Sequence, residues 1–360
     1  MDKNPQTFAK GKLILALFLS LIIGIIILIV LFYPRPAPLP KQAEITSSVV
    51  TTLSSNSDPL GTVIVVSNVT CPASNVTGNC TRIIVSCPGI DNITAGVKKT
   101  KPLGTARGTV VFQLGGPGNK FYDSSSGGTA VVRGVILKNF TAVQISWNGT
   151  QGWLKGPGGP RKLACRFATT AQWIYDNIHV GNLTKPYCAT GNSGGASLVA
   201  YSLSHYGLNS IFDMVEPTSG PPMGRVDHGC ICTQPLMNTT CNLVLSECYA
   251  VNATNAIDWT YNNTWCSQAQ ATNDTAHQGT FYNDSVASLD ANYAYPTTDV
   301  HVLFGALDNS SAPPQGLQWT NSITTQKSTL CVNNSPHDIF TTTQGQNQII
   351  NDINNFCKIT

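Results

Sequence analysis

The chain has 360 residues, which is enough to bury one large hydrophobic core or two ordinary ones. Charged residues make up only 11% of the chain and the formal net charge is +3, with no basic run interleaved with aromatic residues. This composition argues against a nucleic-acid partner.

The first predicted element is an apolar segment near the N-terminus. Residues 13–33 carry no charge and are long enough to cross a lipid bilayer as a helix. A cleaved signal peptide is the alternative, but its apolar centre would be shorter, and the Pro-rich sequence after Tyr33 is a poor cleavage site. Lysines precede the segment, so residues 1–12 are predicted to be a cytoplasmic tail. We therefore expect an uncleaved single-pass anchor, with the rest of the chain extracellular or on the outer face.

Two features after residue 33 fit such a location. Residues 34–58 are rich in Pro, Ser and Thr, which predicts a semi-extended stalk. All 12 cysteines follow the predicted anchor, an even number that indicates disulfides. Metal binding is the alternative, prompted by Cys230-x-Cys232, but no second cysteine pair or histidine run accompanies it, so no metal is expected. Glycosylation sequons are frequent, although a bacterial source would leave most of them unmodified; examples are at Asn68, Asn75, Asn92, Asn139, Asn148 and Asn182.

Residues 59–360 alternate predicted strands with predicted helices. This alternation predicts an α/β domain with a mostly parallel central sheet and helices on both faces. Residues 224–297 have five cysteines and no strong strand pattern. The predicted strands are Thr62–Ser67, Thr81–Ser86, Thr109–Leu114, Thr141–Trp147, Ser210–Glu216, Asp299–Phe304 and Ser328–Val332. The predicted helices are Thr129–Lys138, Lys162–Ile178, Ala196–Tyr206, Pro313–Ile323 and Thr343–Phe356.

The pattern Gly191-x-Ser193-x-Gly195 lies between a short predicted strand and a helix. This is the pattern of a nucleophile elbow, where the serine occupies a tight turn. Gly191 and Gly195 flank the serine at positions where larger side chains would collide across the turn. The pattern therefore makes Ser193 the candidate nucleophile, although such a motif also arises by chance.

An acid and a base follow later strands, at the edge of a parallel sheet where functional residues gather. Asp308 comes after the strand Asp299–Phe304, and His337 comes after the strand that ends near Val332. A serine hydroxyl needs an imidazole to accept its proton, and the imidazole needs a carboxylate to fix its tautomer. Other acids fit less well, because Asp299 begins its strand and Asp338 is adjacent to the histidine. Glu216, at the end of its strand, is the second candidate for the acid.

A glycine-rich loop supplies the remaining part of such a site. Gly115-Gly116-Pro117-Gly118 follows the predicted strand Thr109–Leu114. Because Pro117 has no N–H group, Gly116 is the expected oxyanion donor from this loop, with Gly194 as the second donor. No motif implies a metal or an organic cofactor.

These elements resemble the α/β-hydrolase superfamily across about residues 59–360. The strand followed by Gly115-Gly116-Pro117-Gly118 is similar to the prolyl iminopeptidase and tripeptidyl-aminopeptidase-like serine peptidase branch. The resemblance implies a Ser193–Asp308–His337 triad and a cap formed by residues 224–297. Relatives that trim N-termini hold the substrate amine with acidic cap residues, and Glu247 is the only glutamate in this cap. Two positions depart from the branch, since Gly194 replaces an aromatic residue and Leu114 replaces a histidine.

The sequence thus predicts a membrane-anchored extracellular serine hydrolase that acts on a peptide or an ester. An aminopeptidase is favoured narrowly over an esterase, on the glycine-loop resemblance. A catalytically silent binding ectodomain is the other class, because a fold does not fix a function. The presence of nucleophile, base, acid and glycine loop together favours the enzyme.

Overall fold

The computed structural model describes residues 57–69, 71 and 75–359. The predicted tail, the predicted anchor at residues 13–33 and nearly all of the predicted stalk lie outside these residues. In the described part of the chain, none of the helices combines the length and the apolar character needed to cross a bilayer.

A nine-stranded sheet forms the centre of the domain, in the order β1-β2-β3-β5-β4-β6-β7-β10-β11. The first three strands pair antiparallel: β1 (Thr62–Val69), β2 (Asn79–Ser86) and β3 (Ile93–Thr100). The other six run parallel to one another: β4 (Gly108–Gln113), β5 (Phe140–Trp147), β6 (Tyr187–Asn192), β7 (Met214–Thr218), β10 (Asp299–Gly305) and β11 (Lys327–Val332). The parallel strands therefore all end at one edge of the sheet.

Helices cover both faces of the sheet, as the sequence predicts. They include α1 (Ser126–Leu137), α2 (Gly159–Ile174), α3 (Gly194–Ser204), α8 (Ala312–Ser322) and α9 (Thr343–Phe356). All six residues of the apolar strand β4 are buried. Val111 packs into one core with residues of α2 and α3, whereas Val110 packs into the other with residues of α1 and α9. This division follows from the alternation of side chains along a strand whose two faces are both covered.

The segment between β7 and β10 contains mostly helices. It holds α4 (Val226–Ile231), α5 (Val251–Tyr261), α6 (Trp265–Thr272), α7 (Gln278–Asn283) and a short hairpin of β8 (Met237–Asn238) and β9 (Val244–Leu245). Disulfides Cys230–Cys266 and Cys232–Cys248 lie within this segment, and Cys241–Cys331 joins its hairpin to β11. The remaining pairs are Cys71–Cys80, Cys87–Cys165 and Cys188–Cys357, so all 12 cysteines are paired as the even count indicates.

Two expectations about strands need correction. The strand predicted at Ser210–Glu216 is β7, which begins only at Met214, because its first partner on β6 is Cys188. Residues Leu208–Ser210 form a 3-10 turn instead. Strand β3 was not predicted, since Gly96 and four polar residues leave its sequence only three apolar positions. It pairs with β2 and β5 and closes the antiparallel part of the sheet.

Candidate active site

Ser193 lies at the turn between β6 and α3, at the edge where the parallel strands end. Its backbone has φ 52° and ψ −117°, a strained conformation for a residue with a side chain. A Cβ atom on Gly191 would lie 2.4 Å from the Gly195 carbonyl oxygen, and one on Gly195 would lie 2.4 Å from the Gln113 carbonyl oxygen. Both glycines are thus required by close backbone packing around the serine.

The structure brings Asp308 and His337 together. Asp308 follows β10, is 1% exposed, and accepts a hydrogen bond from His337 Nδ1 to Oδ2 at 2.8 Å. The backbone N–H of Ser310 donates to the other oxygen, Oδ1, at 3.0 Å. The carboxylate therefore holds the ring in the tautomer that leaves Nε2 available as a base.

The surroundings of His337 favour its charged form. Burial of the ring lowers its pKa, but the hydrogen bond and charge of Asp308 and the charge of Asp338 outweigh burial and raise the pKa above 6.5. Burial raises the pKa of Asp308, but the hydrogen bond and charge of His337 and the hydrogen bonds from Ser310 together outweigh burial and lower the pKa. The pair thus stabilises the imidazolium that forms when a serine proton is accepted.

Three hydrogen bonds place the serine turn beside the histidine loop. The buried Asn192, just before Ser193, donates from Nδ2 to Oδ1 of Asp338, just after His337, at 2.8 Å. Ser193 N–H donates to the Thr218 carbonyl at 2.8 Å, and the neighbouring Ser219 hydroxyl donates to the His337 carbonyl. Within the described part of the chain no hydrogen bond joins Ser193 Oγ to His337, a looseness that is common in sites without substrate.

The glycine loop packs directly against the serine turn. A Cβ atom on Gly115 would lie 3.1 Å from the Ser193 Cβ, and one on Gly194 would lie 3.0 Å from the Gly116 nitrogen. In the described residues neither the Gly116 N–H nor the Gly194 N–H donates a hydrogen bond, so both can serve an oxyanion. Gly116 has φ +57° and open space where a Cβ would project.

The parallel sheet, the serine elbow after β6 and the chain order Ser193, Asp308, His337 are the features of one known fold. The chain has the α/β-hydrolase fold. No protein-family model matches its sequence, and no curated protein matches it significantly.

Solved structures resemble this fold only distantly. Est1E from Butyrivibrio proteoclasticus is 10% identical, with a TM-score of 0.43 over 78% of this chain and 97% of its own. An acylaminoacyl peptidase from Pyrococcus horikoshii is 8% identical, with a TM-score of 0.49 over 79% of this chain and 42% of its own. A dienelactone hydrolase from Anabaena variabilis is 10% identical, with a TM-score of 0.41 over 76% of this chain and 94% of its own. This chain thus spans less than half the length of the peptidase, and the fold is assigned from its own topology.

A buried tryptophan that the sequence did not single out holds the glycine loop in place. Trp153 lies in a 3-10 turn and is fully buried. Its indole Nε1 donates to the Gly116 carbonyl at 2.9 Å, and its backbone N–H donates to the Pro117 carbonyl at 3.1 Å. Gly152 permits this approach, since a Cβ atom there would lie 1.9 Å from the Pro117 oxygen. The turn therefore fixes the backbone of the loop from behind.

The competing acids occupy other positions in the fold. Glu216 is fully buried within β7, where burial and the nearby Asp352 raise its pKa well above the ordinary value. Asp299 lies at the start of β10, at the opposite edge of the sheet from Ser193. His337 Nδ1 is bonded to Asp308, so the geometry favours Asp308 over both.

Glu247, the predicted substrate-binding acid, already has partners. It is 3% exposed, its Oε2 lies 3.1 Å from His228 Nδ1, and its Oε1 accepts from Gln318 Nε2 at 3.0 Å. Each oxygen therefore has one protein partner, and the role of Glu247 in binding a substrate amine stays a prediction.

Two cavities in the described part of the chain lie away from the serine. The larger, of about 550 Å³, is lined by Asp58, Arg161, Lys162 and Asp284 among others. The smaller, of about 160 Å³, lies between β1 and α2 and includes Val63 and Trp173. Neither of these two cavities is lined by Ser193, Asp308 or His337, so the candidate site is located from the chemistry of these three residues.

Proposed function

We propose that the protein is a serine hydrolase that works through an acyl-enzyme. The observation that carries this proposal is the 2.8 Å bond between His337 and Asp308, at the same sheet edge as the strained Ser193. A silent binding domain would not need a serine held at φ 52° beside a hydrogen-bonded acid and base.

Each residue has a distinct role in the proposed reaction. Ser193 Oγ attacks the substrate carbonyl carbon while His337 Nε2 takes its proton, and Asp308 stabilises the resulting imidazolium. The N–H groups of Gly116 and Gly194 donate to the oxygen that becomes negative. The protonated His337 then gives its proton to the leaving amine or alcohol. Water repeats the sequence on the acyl-enzyme and releases the acid.

Among serine hydrolases, an aminopeptidase-type peptidase is the favoured enzyme class, and a carboxylic ester hydrolase is the alternative. A peptidase is supported by the glycine loop Gly115-Gly116-Pro117-Gly118, which resembles that of the prolyl iminopeptidase and tripeptidyl-aminopeptidase-like branch. Because both carboxylate oxygens of Glu247 have partners, the structure adds no amine-binding acid to that argument.

We place the catalytic domain outside the cell, anchored through residues 13–33. The apolar segment and its preceding lysines support an anchor. The pairing of all 12 cysteines in six disulfides supports an oxidising compartment. Protease added to intact cells should remove the domain from the cell surface, whereas protection of the domain would contradict this location.

The test of the catalytic proposal uses the full chain produced by secretory cells. A fluorophosphonate probe should label Ser193, and Ser193→Ala should abolish both labelling and hydrolysis, with the melting temperature unchanged. The matched control is Ser210→Ala, an exposed serine near the opposite sheet edge, which should keep full activity. Unblocked aminoacyl substrates and acyl esters then separate the two substrate classes. Absence of labelling in a folded sample would contradict the hydrolase proposal and favour a catalytically silent binding domain.

A further inference from the structure

Glycosylation sequons are more numerous than the composition of the chain explains. With 30 asparagines and Ser or Thr at 67 of 360 positions, a random order would give about six Asn-x-Ser/Thr sequons. The chain contains 14, all after residue 57. They begin at Asn68, Asn75, Asn79, Asn92, Asn139, Asn148, Asn182, Asn238, Asn252, Asn262, Asn273, Asn283, Asn309 and Asn333. This excess indicates that the sequons are used, and not that they follow from an Asn- and Thr-rich composition.

The fold leaves these asparagines accessible. Of the 13 whose side chains the structure describes, 12 are exposed and Asn182 is half-buried. The cellular enzyme that attaches N-linked glycans needs an accessible amide nitrogen, since it joins Asn Nδ2 to the anomeric carbon of an oligosaccharide. The leaving group is the lipid pyrophosphate that carried the sugar, and the amide gives up one proton.

Two of the sequons flank the candidate active site. Asn148 directly follows β5, and Asn309 directly follows Asp308 in the loop after β10. In the sheet order, β5 lies two strands from β6 on one side and β10 lies two strands away on the other. Two strand spacings are about 10 Å, so both asparagines lie at the catalytic edge, one on each side of the strand that carries Ser193.

Both side chains are free to carry a sugar. Asn148 and Asn309 are exposed, and in the described part of the chain neither side-chain amide makes a hydrogen bond. Asn309 is anchored by its neighbours, because the Ser310 N–H is bonded to the Asp308 carboxylate. A glycan on Asn309 would therefore project from a fixed point beside the triad.

We propose that Asn148 and Asn309 carry N-linked glycans that restrict access to Ser193. Two branched, hydrated oligosaccharides on opposite sides of the nucleophile exclude folded proteins and bulky chains by steric overlap. Slender acyl groups and short peptides still reach the serine between them. The size restriction rests on the proposed hydrolase function, whereas the occupancy of the two asparagines does not.

The experiment uses the full chain, expressed at the surface of glycosylating eukaryotic cells and purified from their membranes in detergent. Enzymatic release of N-glycans converts a linked Asn to Asp, so peptide mass spectrometry reads occupancy at each site independently of activity. A small fluorophosphonate and the same group on a long polyethylene glycol chain then measure access to Ser193. The double variant Asn148→Gln/Asn309→Gln is compared with Thr184→Ala. Thr184→Ala removes only the sequon at Asn182, which precedes β6 at the opposite edge.

We expect both asparagines to be occupied. The double variant should raise the labelling rate of the polymer probe, relative to the small probe, by at least about threefold. Thr184→Ala should leave this ratio at the wild-type value. Empty asparagines at both positions would overturn the inference, and so would occupied asparagines with an unchanged ratio. Failure of the small probe to label Ser193 would contradict the proposed function, and that result is separate from the occupancy measurement.

Discussion

His337 can act as a base only when its ring is neutral, so its pKa sets the acid side of the pH–rate profile. Burial lowers this pKa, while the bond and charge of Asp308 and the charge of Asp338 raise it to a net value above 6.5. Asp308 also orients the ring, but Asp338 is bonded to Asn192 and acts on the ring only through its charge. The charge effect of Asp338 on His337 can therefore be tested by mutation without removing the orienting bond of Asp308.

Replacement of Asp338 by Asn should move the acid limb of kcat/KM to lower pH. The change removes a negative charge that raises the pKa of His337, while the new amide oxygen can still accept the hydrogen bond from Asn192. Activity on the alkaline plateau should stay within about twofold of wild type, since the triad itself is unchanged. The measurement is a pH–rate profile for a small ester.

Asp338→Ala is the comparison that isolates the hydrogen bond. It removes the same charge and also leaves the buried Asn192 amide without its acceptor. We expect the same shift of the acid limb together with a lower plateau, because the serine turn loses its link to the histidine loop. A profile of Asp338→Asn that coincides with wild type would refute the electrostatic role.

At the scale of elements, the oxyanion loop is held by a segment distant in sequence. Residues 115–118 form no regular structure, and Trp153 from the 3-10 turn Gly152–Leu154 fixes two successive carbonyls of the loop. Arg166 of α2 in turn donates to the Trp153 carbonyl at 2.7 Å. The orientation of the Gly116 N–H therefore depends on the packing between the glycine loop, the turn and α2.

Trp153→Phe should lower kcat by about tenfold with little change in KM. Removal of an oxyanion donor costs about 10²–10³ in kcat, and misorientation of one of two donors should cost less. The effect should fall on kcat because the oxyanion exists only in the transition state and the intermediates. Steady-state kinetics on a small ester measures both constants.

Trp319→Phe provides the control for the loss of a buried indole. Trp319 is also fully buried, and its Nε1 donates to the Tyr295 hydroxyl at 3.3 Å. Both variants should lose stability, but only the Trp153 variant should lose kcat. Equal kinetic losses in the two variants would show that Trp153 acts only through stability.

Periodicity predicted most of the elements because their apolar positions repeat within short windows. Helix α9 was predicted with its observed bounds, Thr343–Phe356, and β4 and β10 to within one residue at each end. Strand β3 was missed because Gly96 and its polar residues hide the strand pattern, and its place in the sheet is set by pairing with β2 and β5. The triad residues were predictable because each follows a strand end. The roles of Asn192 and Trp153 were not, because nothing near them in sequence identifies their partners.

At the scale of the whole molecule, disulfides join segments that are far apart in the chain. Cys188–Cys357 links β6, the strand before Ser193, to the residue after α9 and closes 169 residues. Cys71–Cys80 closes only nine residues. A longer closed loop removes more entropy from the unfolded chain, so the two bridges should contribute unequally to stability.

Removal of Cys188–Cys357 should therefore destabilise the domain more than removal of Cys71–Cys80. The chain-entropy relation gives a difference of roughly 2–3 kcal/mol between loops of 169 and nine residues. The comparison uses the double variants Cys188→Ala/Cys357→Ala and Cys71→Ala/Cys80→Ala, with the free energy of unfolding measured in urea. Reductant should lower the melting temperature of wild type by more than that of either variant, because more bridges remain to be broken. If the two double variants lost equal amounts of unfolding free energy, or neither lost any, the predicted dependence on loop length would be wrong.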